Sequence, residues 1–147
     1  MGLADYQESC SLTPAPRASL GLTRLTRKDE VGVESVPVTT SDAFMQEEEI
    51  DRPDLIKVDI EGADRCFLTG AAQTLARLRP IVMMEVNPAA LSQFGSTAEE
   101  VLRILRGHGY SFYRPIWRGL RPVRELAKEG HYRNVVSLPP RRAGACK

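Results

Sequence analysis

The chain has 147 residues, of which 42% are hydrophobic and 27% are charged, and its formal net charge is +1. These values are ordinary for one globular domain that buries a core without disulfides or a structural metal. A balanced charge gives no reason to expect nucleic acid or an anionic membrane as the partner. The three cysteines are far apart and form no C-x-x-C pair, and neither a signal peptide nor a membrane-spanning apolar stretch is visible. We therefore expect a soluble, cytoplasmic protein.

The two ends of the chain carry weak patterns. Residues 1–30 are rich in Ser, Thr, Pro and charge without a sustained period, which predicts an irregular segment. Residues 31–140 form the predicted domain, and 141–147 form a predicted flexible tail.

The predicted domain begins with a strand and a short helix. Val31–Val38 predicts an edge or irregular strand, because Pro37 lacks a backbone N–H. Ser41 and Asp42 predict the cap of a short helix that leads into the acidic run Glu47–Glu49.

Strands and helices then alternate. Leu55–Ile60 and Ile81–Val86 predict two strands, and the helix between them carries its apolar residues on one face, at Leu68, Ala71, Leu75 and Leu78. Thr97 and Glu100 form the capping-box pattern that begins a second helix. Two more strands are predicted, at Tyr110–Trp117 and Tyr132–Leu138. This order predicts an α/β fold with parallel pairing and one antiparallel strand near the end.

Three charges lie on one face of the first central strand. Side chains alternate along a strand, so Lys57, Asp59 and Glu61 share a face opposite the apolar one. Either this strand is an edge with a wet face, or the charges converge on a site at its carboxyl end, where open α/β sheets bind ligands. We favour the site for Asp59 and Glu61, and we expect Lys57 to pair with Asp59.

The next strand repeats the arrangement, with Glu85 at its carboxyl end and Asn87 after it. If the two strands are parallel neighbours, the carboxylates of Asp59, Glu61 and Glu85 approach one another. Clustered carboxylates can hold a divalent cation, accept a hydroxyl proton, or bind the cationic and hydroxyl groups of a cofactor. The alternative for Glu85 is an anchor for a helix cap or a loop.

Arginine and aromatic residues are interleaved in the third predicted strand and after it, at Tyr113, Arg114, Trp117, Arg118, Arg121 and Arg124. The pattern could contact phosphate or RNA, but with a balanced net charge a solvated hairpin face is the favoured interpretation.

The central motifs resemble the FkbM family of methyltransferases. The resemblance rests on three stretches: Asp54-Leu-Ile-Lys-Val-Asp-Ile-Glu-Gly62, Leu68-Thr-Gly-Ala71 and Arg79-Pro-Ile-Val-Met-Met-Glu-Val86. Thr40-Ser41-Asp42 matches an upstream T-[LIV]-D element, and Gly109-Tyr110 and Asn134-Val135-Val136 fit the last two strands. The similarity covers roughly residues 31 to 138. Ser41 stands where an aliphatic residue is usual, and Asp64 stands where Glu is usual.

The resemblance implies a partial class I (Rossmann-like) methyltransferase sheet, with strands in the order 4-5-7-6 and strand 7 antiparallel. Leu55–Ile60 would be strand 4. It also implies methyl transfer from S-adenosylmethionine to a hydroxyl of a small molecule such as a sugar or another natural product. Asp59, Glu61 and Glu85 would be catalytic, Asp59 would also face the cofactor, and Glu85 and Asn87 would contact the substrate. No metal is implied.

The chain contains no G-x-G-x-x-G turn, the element on which such enzymes bind the cofactor. We therefore expect a truncated form that binds S-adenosylmethionine weakly or not at all. The alternative is a non-catalytic remnant or interaction module that keeps the half-sheet. Without a strand 1, Leu55–Ile60 would expose its backbone edge, which predicts a homodimer through residues 55–60.

Overall fold

Two β-sheets and the helices that join them make up the described part of the chain. The computed structural model describes residues 2–5, 8–13, 24–25, 34–123 and 133–140. The predicted tail 141–147 and Arg124 lie outside these ranges. No helix within them is long and apolar enough to cross a lipid bilayer.

The first sheet contains four strands: β1 (Gly2–Ala4), β2 (Glu8–Thr13), β3 (Arg24–Leu25) and β4 (Glu34–Thr40). Their order is β1-β4-β2-β3, with β1 parallel to β4 and β2 antiparallel to both neighbours. Three of these strands lie in the segment 1–30, which we predicted to be irregular. Strands β1 and β2 pair with β4, and β3 pairs with β2. Local periodicity does not reveal the distant pairing with β4.

The helix α1 (Ser41–Glu47) follows β4 directly and is capped one residue earlier than predicted. The side-chain oxygen of Thr40 accepts the N–H of Ala43 at 3.1 Å. Asp42 is therefore not the cap; its carboxylate accepts the N–H groups of Gln73 and Thr74 at 2.9 and 2.8 Å. It also accepts the Thr74 hydroxyl at 2.7 Å. Asp42 thus ties α1 to the start of a later helix.

The second sheet is mixed and has five strands: β5 (Leu55–Val58), β6 (Ile81–Val86), β7 (Ser111–Ile116), β8 (Gly119–Pro122) and β9 (Arg133–Leu138). Their order is β5-β6-β9-β7-β8. Strands β5 and β6 are parallel, and β9 is antiparallel to both β6 and β7. The predicted α/β class is confirmed. The hairpin partner β8 was not predicted.

The helical segment after β5 is broken where one continuous helix was predicted. It consists of α2 (Asp64–Thr69) and a π-helix (Thr74–Leu78), separated around Gly70. A Cβ at Gly70 would lie 1.9 Å from the carbonyl oxygen of Ala4, so β1 packs directly against this break. The backbone N–H of Asp42 also donates to the Gly70 carbonyl at 3.0 Å. Tertiary contacts, which the helical period does not encode, account for the break.

Two helices follow β6. The first, α3 (Pro88–Gln93), was not predicted; Pro88 at its first position fits the helix start, where no N–H is needed. The second, α4 (Ala98–Gly107), has the predicted capping box. The backbone N–H of Thr97 donates to the Glu100 carboxylate at 2.9 Å, and the Glu100 N–H donates to the Thr97 hydroxyl at 3.2 Å.

The core lies on one face of the five-stranded sheet. Its strand residues include Val58, Val82, Met84, Phe112 and Val135, and its helical residues include Leu68, Leu75, Leu91, Leu102 and Leu105. On the opposite face the side chains of Met83, Tyr113 and Val136 are half-buried, and Lys57 is exposed. A central parallel strand is usually covered by helices on both faces. Here the helices in the described ranges pack on one face, and the other face carries the charged side chains.

Candidate functional site

The carboxyl ends of β5 and β6 lie side by side. Their parallel register pairs Lys57 with Met83 and Val58 with Met84. The residues that follow, Asp59 and Glu85, therefore lie beside each other at the carboxyl ends of the two strands. Partial burial raises the pKa of Glu61, and the negative charges of Asp59 and Glu85 raise it further. The structure therefore brings together the three carboxylates that the sequence indicated.

Lys57 pairs with Asp59, as predicted. The Lys57 Nζ donates to Asp59 Oδ2 at 2.6 Å, and this hydrogen bond is the main cause of the raised pKa of Lys57. The two side chains are 60% and 42% exposed, so the pair is solvated and contributes little to stability. The hydrogen bond orients the carboxylate of Asp59 at the strand end.

Glu61 and Gly62 make a tight turn immediately after Asp59. Both have positive φ, +50° for Glu61 and +99° for Gly62, a region that glycine adopts far more readily than other residues. A Cβ on Gly62 would lie 2.3 Å from the carbonyl oxygen of Ala90 in α3. The turn therefore packs against α3. Partial burial is the largest cause of the raised pKa of Glu61.

Asp64 is a fourth carboxylate in this region, and sequence reasoning did not identify it as a site residue. It is only 2% exposed, and Oδ1 has no hydrogen-bond partner among the described residues. Burial raises its pKa to about 6, and the charges of Asp59 and Glu61 act in the same direction. The backbone N–H groups of Asp64 and Gly62 act in the opposite direction. Asp64 is one more acidic residue after Asp59 and Glu61 in the sequence, and nothing in the sequence pattern indicates that its side chain is buried.

Asn87 caps the helix α3. Its side-chain oxygen accepts the N–H groups of Ala89 and Ala90 at 3.1 and 3.2 Å. The cap role that was the alternative for Glu85 thus belongs to Asn87, and the proposed contact of Asn87 with substrate stays a prediction. Across the sheet, Glu85 is paired in register with Asn134 of β9. Asn134 is exposed and adds an amide to the strand ends.

The described residues contain no group of three or more His, Cys, Asp or Glu side chains that could hold a metal ion. The strand ends combine three carboxylates with one ammonium group. Such a set suits hydroxyl groups and cations rather than anions, and a carboxylate there can accept a hydroxyl proton.

A groove of about 970 Å³ lies elsewhere, between α1 and the π-helix. Its lining includes Asp42, Glu49, Thr74 and Arg77, and none of Asp59, Glu61 and Glu85. Because Asp42 is occupied by its hydrogen bonds to Gln73 and Thr74, it is a structural residue in this groove.

Comparison with known proteins gives one match. The family model described as the methyltransferase FkbM domain matches residues 3–112. The match begins well before residue 31, so it includes the segment of β1 to β3. The chain matches none of the curated proteins and none of the solved structures with which it was compared.

Proposed function

Because the chain belongs to the FkbM family of methyltransferases, we propose that it carries the acceptor side of an O-methyl transfer from S-adenosylmethionine. The acceptor would be a hydroxyl group of a sugar or a similar small natural product. The observation that carries this proposal is the position of Asp59, held by Lys57 at the carboxyl end of β5 beside Glu61 and Glu85.

The strand order supports a class I half-sheet. In that fold a late antiparallel strand lies between two strands that are parallel to each other. Here β9 is antiparallel to both β6 and β7 and separates them. The catalytic end of such a sheet is the carboxyl end of its parallel strands. Asp59, Glu61 and Glu85 occupy that end.

The charge at the strand ends fits the expected donor. S-adenosylmethionine would supply an electrophilic methyl group on a positively charged sulfur. Three carboxylates outnumber the single ammonium of Lys57 there, so the site favours a cation. Asp59 and Glu61 are the residues that would face this charge. The expectation that the chain alone binds the donor weakly stays a prediction.

Asp59 would act on the acceptor hydroxyl. Its carboxylate accepts the hydroxyl hydrogen, orients an oxygen lone pair toward the methyl group and takes the proton as the new bond forms. Lys57 donates a 2.6 Å hydrogen bond to this carboxylate and orients it. Glu85 and Asn87 are proposed to contact the rest of the acceptor.

Replacing Asp59 tests the proposal. We expect Asp59→Asn to lower the rate of methyl transfer by roughly 100-fold or more, because a positioned base contributes that much. Transfer of labelled methyl from S-adenosylmethionine to a panel of sugar and polyketide hydroxyls measures the rate. Asp54→Asn is the matched control, since Asp54 is an exposed carboxylate before the amino end of the same strand.

Equal rates in the folded Asp59→Asn variant and the wild type would remove Asp59 from catalysis. No transfer by the wild-type chain to any acceptor would favour the second function, a non-catalytic interaction module that keeps the half-sheet.

We also propose that the chain forms a homodimer through β5. Among the described strands β5 pairs with β6 alone, so its other edge has no strand partner there. Leu55 on that edge is 54% exposed. An unpaired edge beside apolar surface is a template for pairing with another strand.

Sedimentation is expected to show concentration-dependent dimers that Leu55→Lys weakens, because a charge on an edge opposes pairing. Leu120→Lys, on the opposite edge strand, is the control. A monomer at all concentrations would contradict the dimer. Fast hydrogen exchange in β5 would then indicate a free edge, and slow exchange would indicate pairing within the chain.

A further inference from the structure

The tip of the β7–β8 hairpin exposes three large apolar side chains. Trp117 is 96% exposed, Ile116 49% and Leu120 42%. Of the large hydrophobic residues that are exposed in the described part of the chain, only Leu55 lies elsewhere. The register pairs Ile116 with Gly119 and Pro115 with Leu120, so the three exposed side chains all lie at or beside the turn. Because Ile116 shares a face with Gly119 and Leu120 shares the other face with Pro115, the two side chains project from opposite faces and place apolar surface on both sides of the tip. Exposed apolar surface around a hairpin tip marks an interaction site.

The same hairpin is locally basic. Residues 111–123 contain Arg114, Arg118 and Arg121 and no Asp or Glu. Arg114 and Arg121 are directly opposite each other on adjacent strands, an arrangement that is unfavourable unless an anion lies nearby. None of the three takes part in a salt bridge with a described residue. The hairpin is therefore locally cationic, although the net charge of the whole chain is small.

The tip of the hairpin, beyond the core residue Phe112, belongs to neither the core nor the candidate site. Most of the hairpin lies beyond residue 112, where the match to the family model ends. Its side chains are far along the sheet from β5, at the opposite edge. Its surface chemistry therefore calls for a partner other than the methyl acceptor.

From these features we propose that the hairpin Ser111–Pro122 docks on an anionic lipid bilayer. Trp117, Ile116 and Leu120 would enter the boundary between headgroups and acyl chains, and the arginines would contact lipid phosphates. Tryptophan is favoured at that boundary because its ring is apolar and its N–H is polar. Arginine beside an anionic surface adds electrostatic attraction. This replaces the expectation, drawn from net charge alone, that no membrane is contacted.

Two other classes of partner fit less well. A specific protein interface buries about 800 Å² on each side, from roughly 20–30 residues, whereas the exposed large apolar residues of the hairpin are Trp117, Ile116 and Leu120. Single-stranded nucleic acid is held by several aromatic side chains on which bases stack. Here Tyr113 is half-buried, and the exposed neighbours of Trp117 are the aliphatic residues Ile116 and Leu120. Aliphatic side chains beside one tryptophan suit a lipid surface.

The hairpin supplies its own reporter, since Trp117 is the only tryptophan in the chain. With vesicles of phosphatidylglycerol and phosphatidylcholine, we expect the Trp117 emission to shift to shorter wavelength and the protein to sediment with the vesicles. Vesicles of phosphatidylcholine alone should bind much more weakly, and added salt should weaken binding to the anionic vesicles.

Variants separate the electrostatic contribution of the arginines from the apolar contribution of Trp117. Arg118→Gln with Arg121→Gln should lower the partition coefficient by roughly 30-fold, because each basic residue near an anionic surface contributes about fivefold. Trp117→Ala should abolish most sedimentation with vesicles and leave the circular dichroism unchanged, since the side chain is exposed. Arg65→Gln with Arg103→Gln removes the same charge from exposed helical positions and is the control.

The proposal is overturned if the wild-type chain does not bind anionic vesicles. It is also overturned if the hairpin variants and the control pair lose binding equally. A single-stranded RNA oligonucleotide is the competing ligand. If it quenches Trp117 fluorescence at a lower concentration than the lipid concentration needed for vesicle binding, the surface binds nucleic acid instead.

Discussion

Gly62→Ala is expected to lower the free energy of unfolding by about 3–5 kcal/mol. Two costs add. A φ of +99° is strained for any residue with a Cβ, and the new Cβ would lie 2.3 Å from the Ala90 carbonyl oxygen and displace α3. Because the turn also positions Glu61, methyl transfer should fall in the folded fraction. Urea unfolding followed by circular dichroism measures the first effect.

Gly95→Ala is the control for backbone strain alone. Gly95 has a φ of +65°, and a Cβ there would meet nothing within 4 Å. It should cost about 1–2 kcal/mol, the strain of the left-handed region. If the two alanine variants were equally stable, the close packing of the turn on α3 would contribute nothing to the free energy of unfolding.

Asp64→Asn is expected to stabilise the protein at pH 7 by about 2–3 kcal/mol. The Asp64 carboxyl has a pKa of about 6 in the folded protein and an ordinary value of 3.8 when unfolded. Between these values the folded state binds more protons, so the free energy of unfolding falls as pH rises from about 4 to about 6 and does not recover above. An amide carries no charge and avoids this loss.

The difference between Asp64→Asn and the wild type should therefore be large at pH 7 and small near pH 4. Chemical unfolding at a series of pH values measures it. The raised pKa of Glu61 acts in the same direction in both proteins, so it does not create a difference. Asp54→Asn, which removes an exposed carboxylate, is the control. A stability difference that is constant with pH would show that folding does not raise the pKa of Asp64.

The sequence predicted the elements whose signals are local. The capping box of Thr97 and Glu100, the strands β5 and β6 and the Lys57–Asp59 pair follow from neighbouring residues, and the structure contains each of them. The motif around Asp59 also indicated the family, which the match over residues 3–112 confirms. The catalytic roles of Asp59, Glu61 and Glu85 stay predictions.

The features that the sequence did not predict depend on distant contacts. The segment 1–30 contains β1 because Leu3 and Ala4 pair with Thr39 and Thr40, far along the chain. Gly70 interrupts a regular helical period because β1 packs against it. The burial of Asp64 likewise follows from its position under the turn and not from its neighbours in sequence. A charged residue at the start of a helix is usually exposed, so no local rule indicates otherwise.

The central position of β9 has a consequence for how the chain folds. The strand is made late, yet it lies between β6 and β7, and its partner residues Met83 and Val136 are about 50 positions apart. Until β9 arrives, β6 has paired with β5 on one side only, and the β7–β8 hairpin has no sheet to join. Insertion of β9 should therefore limit the folding rate. A chain that has not completed this step would expose the unpaired backbone of β6, which can pair with other unfolded chains and aggregate.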